Sequence, residues 1–229
     1  MKPLKTLLIK LDNRLSFEEI PKFRAAVIEA TRREHDLFHN HLGDDQHLFR
    51  YPKIQYRSID GRAALYCLEE ATQVIHHFLG QRDLSVRIGR RRETIALDIL
   101  DMNNALIGIA EVPKRYHLRN WMALNPANYR KFVALAAEGV LAQKAFLQRI
   151  LTGNLLSTFT GFNLYVEQRI EVAIDTFHAV TTKGYKGQSI IVFDLDFRAN
   201  VTLPNHIGLG KGVSNGFGVT TLQPTTIPA

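Results

Sequence analysis

Apolar and polar positions along the chain switch between strand-like and helix-like spacing in a definite order. Residues 6–12 (TLLIKLD) form a short apolar run of the kind a buried strand carries. Pro21 then suits the first turn of a helix, where its missing N–H costs nothing, and Phe23, Val27 and Ala30 would face inward. Residues 53–58 and 62–68 flank an Asp60-Gly61 pair, which predicts a hairpin. Residues 69–79 are the clearest helix: Ala71, Val74, Ile75, Phe78 and Leu79 keep the spacing i, i+3, i+4, i+7, i+8. Glu69 and Glu70 suit its N-terminal dipole, and Gly80 suits the position just past its end. Residues 94–100 (TIALDIL) read as another strand. Strand, helix, strand, strand, helix, strand is the ferredoxin-like split βαβ order.

After Asn103-Asn104 the pattern partly repeats. Residues 105–112 predict a strand, and Asn125-Pro126 supplies an N-cap followed by Pro at the first helical position. One long helix is expected from there to 151, with Gly153 beyond it. Strands are expected at 169–180 and 188–198, with a turn at Lys183-Gly184-Tyr185-Lys186-Gly187, and a last short strand at 217–222. The second half thus matches the first, with a glycine-rich loop in place of its second helix. The fold class is α+β: tandem ferredoxin-like (RRM-like) domains with antiparallel sheets and a C-terminal glycine-rich loop. The expected domains are 1–102 and 103–229, closely packed because no Pro/Ser-rich linker separates them.

Composition narrows the function. Apolar residues make up 45% and charged residues 22%, ordinary for a globular chain of 229 residues. No apolar run reaches the ~18–20 residues of a membrane span. Met1-Lys2-Pro3-Leu4-Lys5 is not followed by a long apolar region and a cleavage site, so no export signal is expected. The one cysteine, Cys67, rules out an internal disulfide and reads as a core thiol, which fits a reducing cytoplasm. Lys plus Arg number 29 against 22 Asp plus Glu, a formal net charge of +7. Such a surface favours polyanions, because bound phosphates release condensed counterions.

Three groups carry candidate chemistry. The first is the glycine-rich segment 208–218, GLGKGVSNGFG, with five glycines in eleven positions. It fails the P-loop pattern, finding Asn205 and Gly212 where Gly and Ser or Thr are needed. Gly208, Gly210, Lys211, Gly212, Ser214 and Gly216 are the candidates for a backbone cradle for RNA phosphates; a packed turn is the bland alternative. The second group is histidine. Four of the nine, His35, His39, His41 and His47, fall between 34 and 50. HExxH fails, since Asp36 follows His35, and a zinc site would need Asp44 and Asp45 as well. The favoured reading has no metal and no cofactor: with an ordinary pKa of about 6.5, imidazoles can take and give protons near neutral pH. Cleavage of RNA by its own 2′-OH needs both transfers. Tyr51 and Lys53, just beyond, could join that site as a donor and a positive charge.

The third group is basic. Arg82, Arg87, Arg90, Arg91 and Arg92 lie between the second helix and the next strand; Arg90, Arg91 and Arg92 are the RNA-binding candidates. Lys114, Arg115, His117 and Arg119 interleave with Tyr116 and Trp121, whose rings could stack on bases. Asp194 and Asp196 alternate along one strand and are expected to form an exposed polar face rather than a metal site.

Two ferredoxin-like halves with the late GLGKGVSNGFG loop resemble the CRISPR-associated RAMP superfamily. Within it, Phe38-His-Asn-His-Leu-Gly43 followed by Arg50-Tyr-Pro-Lys-Ile-Gln-Tyr56 resembles the branch of repeat-RNA endoribonucleases with a histidine pair after the first helix. The resemblance implies metal-independent cleavage of precursor CRISPR RNA, leaving 5′-hydroxyl and 2′,3′-cyclic phosphate ends, in antiviral defence. It implies His39 and His41 as general acid and base, with Tyr51 a weaker third. It implies CRISPR repeat RNA as partner, with other CRISPR-associated proteins and a second copy of the chain as further candidates and no membrane. A non-catalytic RNA-binding subunit of a CRISPR complex is the alternative, and a metal-dependent nuclease the third reading.

Overall fold

The structure, a computed structural model, describes residues 1–31, 36–39, 41–42, 46–47, 51–81 and 84–224; for 39, 41, 42, 46 and 47 it describes the backbone alone. The chain divides into two compact units, one of residues 3–105 with 213–216, the other of 1–2, 106–212 and 217 onward. The division falls three residues beyond the expected boundary at 102/103, and it assigns part of the glycine-rich loop to the N-terminal unit.

The N-terminal unit opens with β1 (Lys2–Arg14), buried on both faces around Leu7, Leu8 and Ile9 as a central strand must be. A short 3₁₀ turn, Phe17–Glu19, leads into α1 (Ile20–Ala30) with Pro21 in its first turn. Ser16 and Glu19 form a capping box, the Ser16 N–H donating to Glu19 Oε2 at 3.0 Å. Next come α2 (Asp36–His39), β2 (His41–Leu42) and β3 (Gln46–His47). The hairpin β4 (Ile54–Ile59) and β5 (Arg62–Leu68) turns on Asp60 and Gly61, both at positive φ (53° and 73°), as a primed two-residue turn requires.

The expected helix over 69–79 forms as two turns, α3 (Ala71–Val74) and α4 (His76–Leu79). Ile75 between them keeps a right-handed backbone at φ −60°, ψ −20°, so the segment tightens towards 3₁₀ geometry without reversing. A hairpin absent from the sequence reading follows, β6 (Ser85–Ile88) and β7 (Arg91–Thr94). Its signal is faint: only Val86 and Ile88 alternate inward among arginines.

β8 (Leu97–Trp121) replaces the two strands expected at 94–100 and 105–112. Asn103-Asn104 read as a break, but pairing keeps them extended, and Asn103 O accepts from Thr6 Oγ1 at 3.3 Å. In the N-terminal unit the strand order is β4-β5-β1-β8, that is 2-3-1-4 in order of appearance, the ferredoxin arrangement. Phe23 and Val27 of α1, Phe78 of α4, and Ile9, Leu65 and Tyr56 of the sheet build one core.

The C-terminal unit takes β8 from 106 onward. Asn125 caps α5 (Pro126–Ala134), its Oδ1 accepting from Asn128 N at 2.7 Å. The expected single helix is broken by a 3₁₀ turn, Leu135–Glu138, and by Gly139 at φ 98°; α6 (Val140–Thr160) then runs straight past Gly153. Leu147, Leu151, Leu155 and Phe159 recur every four residues and form its buried stripe. β9 (Val172–Tyr185) and β10 (Gln188–Thr202) turn on Lys186-Gly187, and β11 (Val219–Leu222) closes the chain. The order β9-β10-β8-β11 is again 2-3-1-4, and the glycine-rich loop stands between β10 and β11 where the first half has α3 and α4.

Candidate functional site

His39 ends α2 and His41 begins β2, which pairs with β3 in the register His41↔His47. The change from helix to strand falls between the two candidate imidazoles. Their side chains, like His35, Asp44, Asp45 and Arg50 altogether, lie outside the described residues.

The residues that follow form a hydrogen-bonded set. Tyr51 is half-buried, and its hydroxyl accepts from Gln55 Nε2 at 3.0 Å. Gln55 Oε1 in turn accepts from Arg57 Nη2, and Arg57 Nη1 donates to the Val213 carbonyl at 2.6 Å. Arg57 is 1% exposed; burial pushes its guanidinium down to about 10, so it stays charged at neutral pH. Sequence reading passed over Gln55 and Arg57. The available signal was two long polar side chains at consecutive alternations of an otherwise apolar hairpin. Lys53 is half-buried just before β4.

Arg57 fixes one end of loop segment 213–216, and a parallel bridge between Tyr56 and Asn215 fixes its middle. Gly216, at φ 85°, lets the segment lie flat: a Cβ there would stand 2.4 Å from Ile20 Cδ1. Ser214 and Gly216 therefore share a unit with the histidine segment and Tyr51. Gly208, Gly210, Lys211 and Gly212 belong to the other unit. Gly210 lies against the Trp121–Asn154 pair, Gly208 is buried, and Lys211 is exposed.

The arginine cluster sits on the β6–β7 hairpin. Arg90 and Arg92 are exposed. Arg91 bonds Glu19 Oε1 at 2.8 Å and Glu93 Oε1 at 3.2 Å, so its charge already has carboxylate partners. Arg82 lies outside the described residues.

Two expectations fail in the second basic group. Tyr116 and Trp121 do not present rings to solvent. Tyr116 stacks on Phe197 and donates to Val201 O at 2.9 Å; Trp121 donates to Asn154 Oδ1 at 2.9 Å. Strand alternation sends Tyr116 into the core and leaves Arg115, His117 and Arg119 on the opposite face; Trp121 shares their parity and turns inward because the register slips between Phe193 and Leu195, with Asn120 at φ 49°. Asp196, expected on an exposed polar face, is buried. Its Oδ1 lies 2.8 Å from His117 Nδ1 and 3.1 Å from His178 Nε2, and its Oδ2 accepts from Arg115 Nη2 at 2.8 Å. Burial works to raise this carboxyl's pKa, but the His117, His178 and Arg115 hydrogen bonds outweigh it and hold it below the usual carboxylate range. Asp194 accepts from the Asn120 N–H. Cys67 is buried, which drives its thiol well above the ordinary range. Among the described residues no helix is long and apolar enough to cross a membrane.

Two ferredoxin-like units, each with strand order 2-3-1-4 and the second carrying a glycine-rich loop before its last strand, make a RAMP-like fold, and comparison with known proteins agrees. The Cas6b N-terminal domain profile matches residues 2–105, and the Cas6b C-terminal domain profile matches 108–222. The chain belongs to the Cas6b family. A crystal structure of Cas6b superposes with a TM-score of 0.88 at 22% identity, covering 97% of this chain and 100% of that one. A second, described as CRISPR RNA processing endoribonuclease Cas6b, gives 0.74 at 22% identity with the same coverage, 97% and 100%. An uncharacterized protein of Methanocaldococcus jannaschii is 35% identical over 112 residues, 48% of this chain and 74% of that protein.

Proposed function

We propose that this chain is an endoribonuclease that cuts precursor CRISPR RNA within its repeats, without a metal ion. The observation that carries the reading is the Cas6b match over both halves of the chain. The net charge of +7 supports a polyanionic substrate, and the histidine pair after α1 supports proton-transfer chemistry.

His39 and His41 are the general acid and base of the proposed reaction. One imidazole takes the proton of the 2′-OH that precedes the scissile phosphate. The O2′–P bond forms as the P–O5′ bond breaks, and the second imidazole protonates the departing O5′. The products are a 2′,3′-cyclic phosphate and a 5′-hydroxyl, so no water is consumed. Tyr51, whose hydroxyl is positioned by Gln55, supplies a further donor, and Lys53 a positive charge for the phosphorane oxygens. Arg90, Arg92 and Lys211 are exposed cations for the rest of the RNA backbone, and Ser214 and Gly216 border the catalytic unit's share of the loop.

The test is cleavage of a cognate repeat RNA in EDTA, with the product ends identified. Wild-type activity should persist, and His39→Ala or His41→Ala should each lower it by about 10²–10⁴-fold. A 2′-deoxy nucleotide before the cut site should abolish it. Cutting of the deoxy substrate would refute the mechanism; tight binding without any cleavage would instead make the chain a non-catalytic RNA-binding subunit.

A further inference from the structure

His117, His178 and Asp196 come from three neighbouring strands, β8, β9 and β10, and converge on one point of the C-terminal unit. Each offers one ligand atom, and the three atoms lie within 4.8 Å of one another; no other trio of His, Cys, Asp or Glu among the described residues does this. The nearest pairs are 2.8 Å and 3.1 Å apart. In a tetrahedral zinc site with bonds of about 2.0–2.1 Å, ligand atoms stand about 3.3 Å from one another. The two imidazole–carboxylate pairs therefore need to open by only a few tenths of an ångström to surround an ion, and the two imidazole nitrogens already stand within 4.8 Å of each other.

The backbone departs from regular pairing here. Asp194 faces Ala179 across the ladder and Leu195 faces Phe177, which leaves His178 as the extra residue of a β-bulge. Bulges re-aim side chains and cluster near functional sites. On the other side of β10 the register also slips between Phe193 and Leu195, and Asn120 adopts φ 49°. Arg115 holds Asp196 Oδ2 and so turns Oδ1 towards both imidazoles, as an outer-shell partner of a metal ligand does. His178 is 46% exposed, so the cluster opens to solvent on that side.

We infer that His117 Nδ1, His178 Nε2 and Asp196 Oδ1 form a three-ligand binding site for a divalent transition metal of the zinc class. The fourth position faces solvent and takes water or another oxygen donor. Two imidazoles and a carboxylate match zinc and cobalt rather than magnesium or calcium, which prefer all-oxygen shells. The site is independent of the proposed cleavage chemistry, which runs without a metal.

The test uses the full-length chain with His35, His39, His41 and His47 all replaced by alanine, so that the histidine-rich segment cannot bind. Titration with Co2+ alone, followed by its visible absorption, should show one equivalent bound, and Zn2+ should displace it. Adding His178→Ala or His117→Ala should weaken binding at least about tenfold, with Trp121 fluorescence confirming the fold. Asp196→Asn should do likewise. A parent that binds no Co2+ at millimolar concentration, or His178→Ala and His117→Ala chains that bind as tightly as the parent, would overturn the inference and leave the cluster a hydrogen-bonded network only.

Discussion

Gly218 is the position where a single methyl group should do the most damage. It sits at φ 65°, and a Cβ added there would lie 2.0 Å from the Leu209 carbonyl oxygen and 3.0 Å from its carbon. Both are backbone atoms, so no side-chain rotation relieves the clash. Leu209 N donates to Gly218 O at 2.8 Å, and Gly218 N donates to Asn120 O at 3.1 Å. Relieving the clash by shifting Gly218 away from Leu209 strains both bonds, at about 1 kcal/mol each. The left-handed backbone adds about 1 kcal/mol for a residue with a Cβ, and forced overpacking at least about 1 more. Gly218→Ala should therefore destabilise the C-terminal unit by about 4 kcal/mol. At roughly 2–4 °C per kcal/mol for a protein of this size, its melting temperature should fall by roughly 8–16 °C. The single tryptophan, Trp121, is buried in the same unit and reports its unfolding directly. Gly187→Ala is the control: φ is 75°, but nothing lies within 4 Å of the added Cβ. It should cost only the backbone term, about 1 kcal/mol. Equal melting temperatures for the two variants would refute the argument that close approach at Gly218, rather than backbone conformation alone, demands glycine.

Arg57→Met should cost about 2–4 kcal/mol, because the Val213 carbonyl and Gln55 Oε1 lose a charged donor, and it should loosen segment 213–216; protection of those amides from hydrogen exchange reads the effect. Glu19 is held below its ordinary pKa by the Ser16 backbone hydrogen bond, with Arg91 helping. The unfolded chain then binds more protons than the folded one as pH falls past 4.5, so the contribution is present above that pH and lost as pH drops through the folded value. Urea midpoints of Glu19→Gln should accordingly fall less between pH 5 and pH 3 than those of the wild type. Cys67 should react with a thiol reagent only after unfolding, since burial both shields it and keeps it protonated; prompt labelling of the native chain would contradict its burial.

Much of the architecture was legible because its signals are local. Asp60-Gly61 marked a hairpin, Asn125-Pro126 marked a helix start, and the repeated order of elements carried the tandem fold. The misreadings share a different cause. Asn103-Asn104 separates two strand-like runs in the sequence, yet strand pairing keeps it extended within β8. Gly153 looks like a helix end, yet packing of the Leu147–Leu151–Leu155 stripe carries α6 through it, while Gly139 makes the break. Tyr116 and Trp121 looked like stacking platforms because a lone strand does not declare which face is covered. The His117–His178–Asp196 cluster joins residues far apart in the chain, so no spacing rule could gather them; a bulge that re-aims His178 leaves no trace in composition.

The division of the chain bears on how this protein could be taken apart. β8 runs from Leu97 to Trp121 through the boundary at 105/106, and residues 213–216 return to complete the N-terminal unit. A gene fragment ending at residue 105 would encode that unit without Val213, and the buried Arg57 would lose one of its acceptors. Separate expression of two halves would leave at least one product incomplete whichever codon was chosen, and a cut at 105/106 would leave both so, because residues 1–2 belong to the C-terminal unit. Supplying 213–216 as a peptide, or grafting it behind residue 105, would be the condition for an isolated N-terminal lobe.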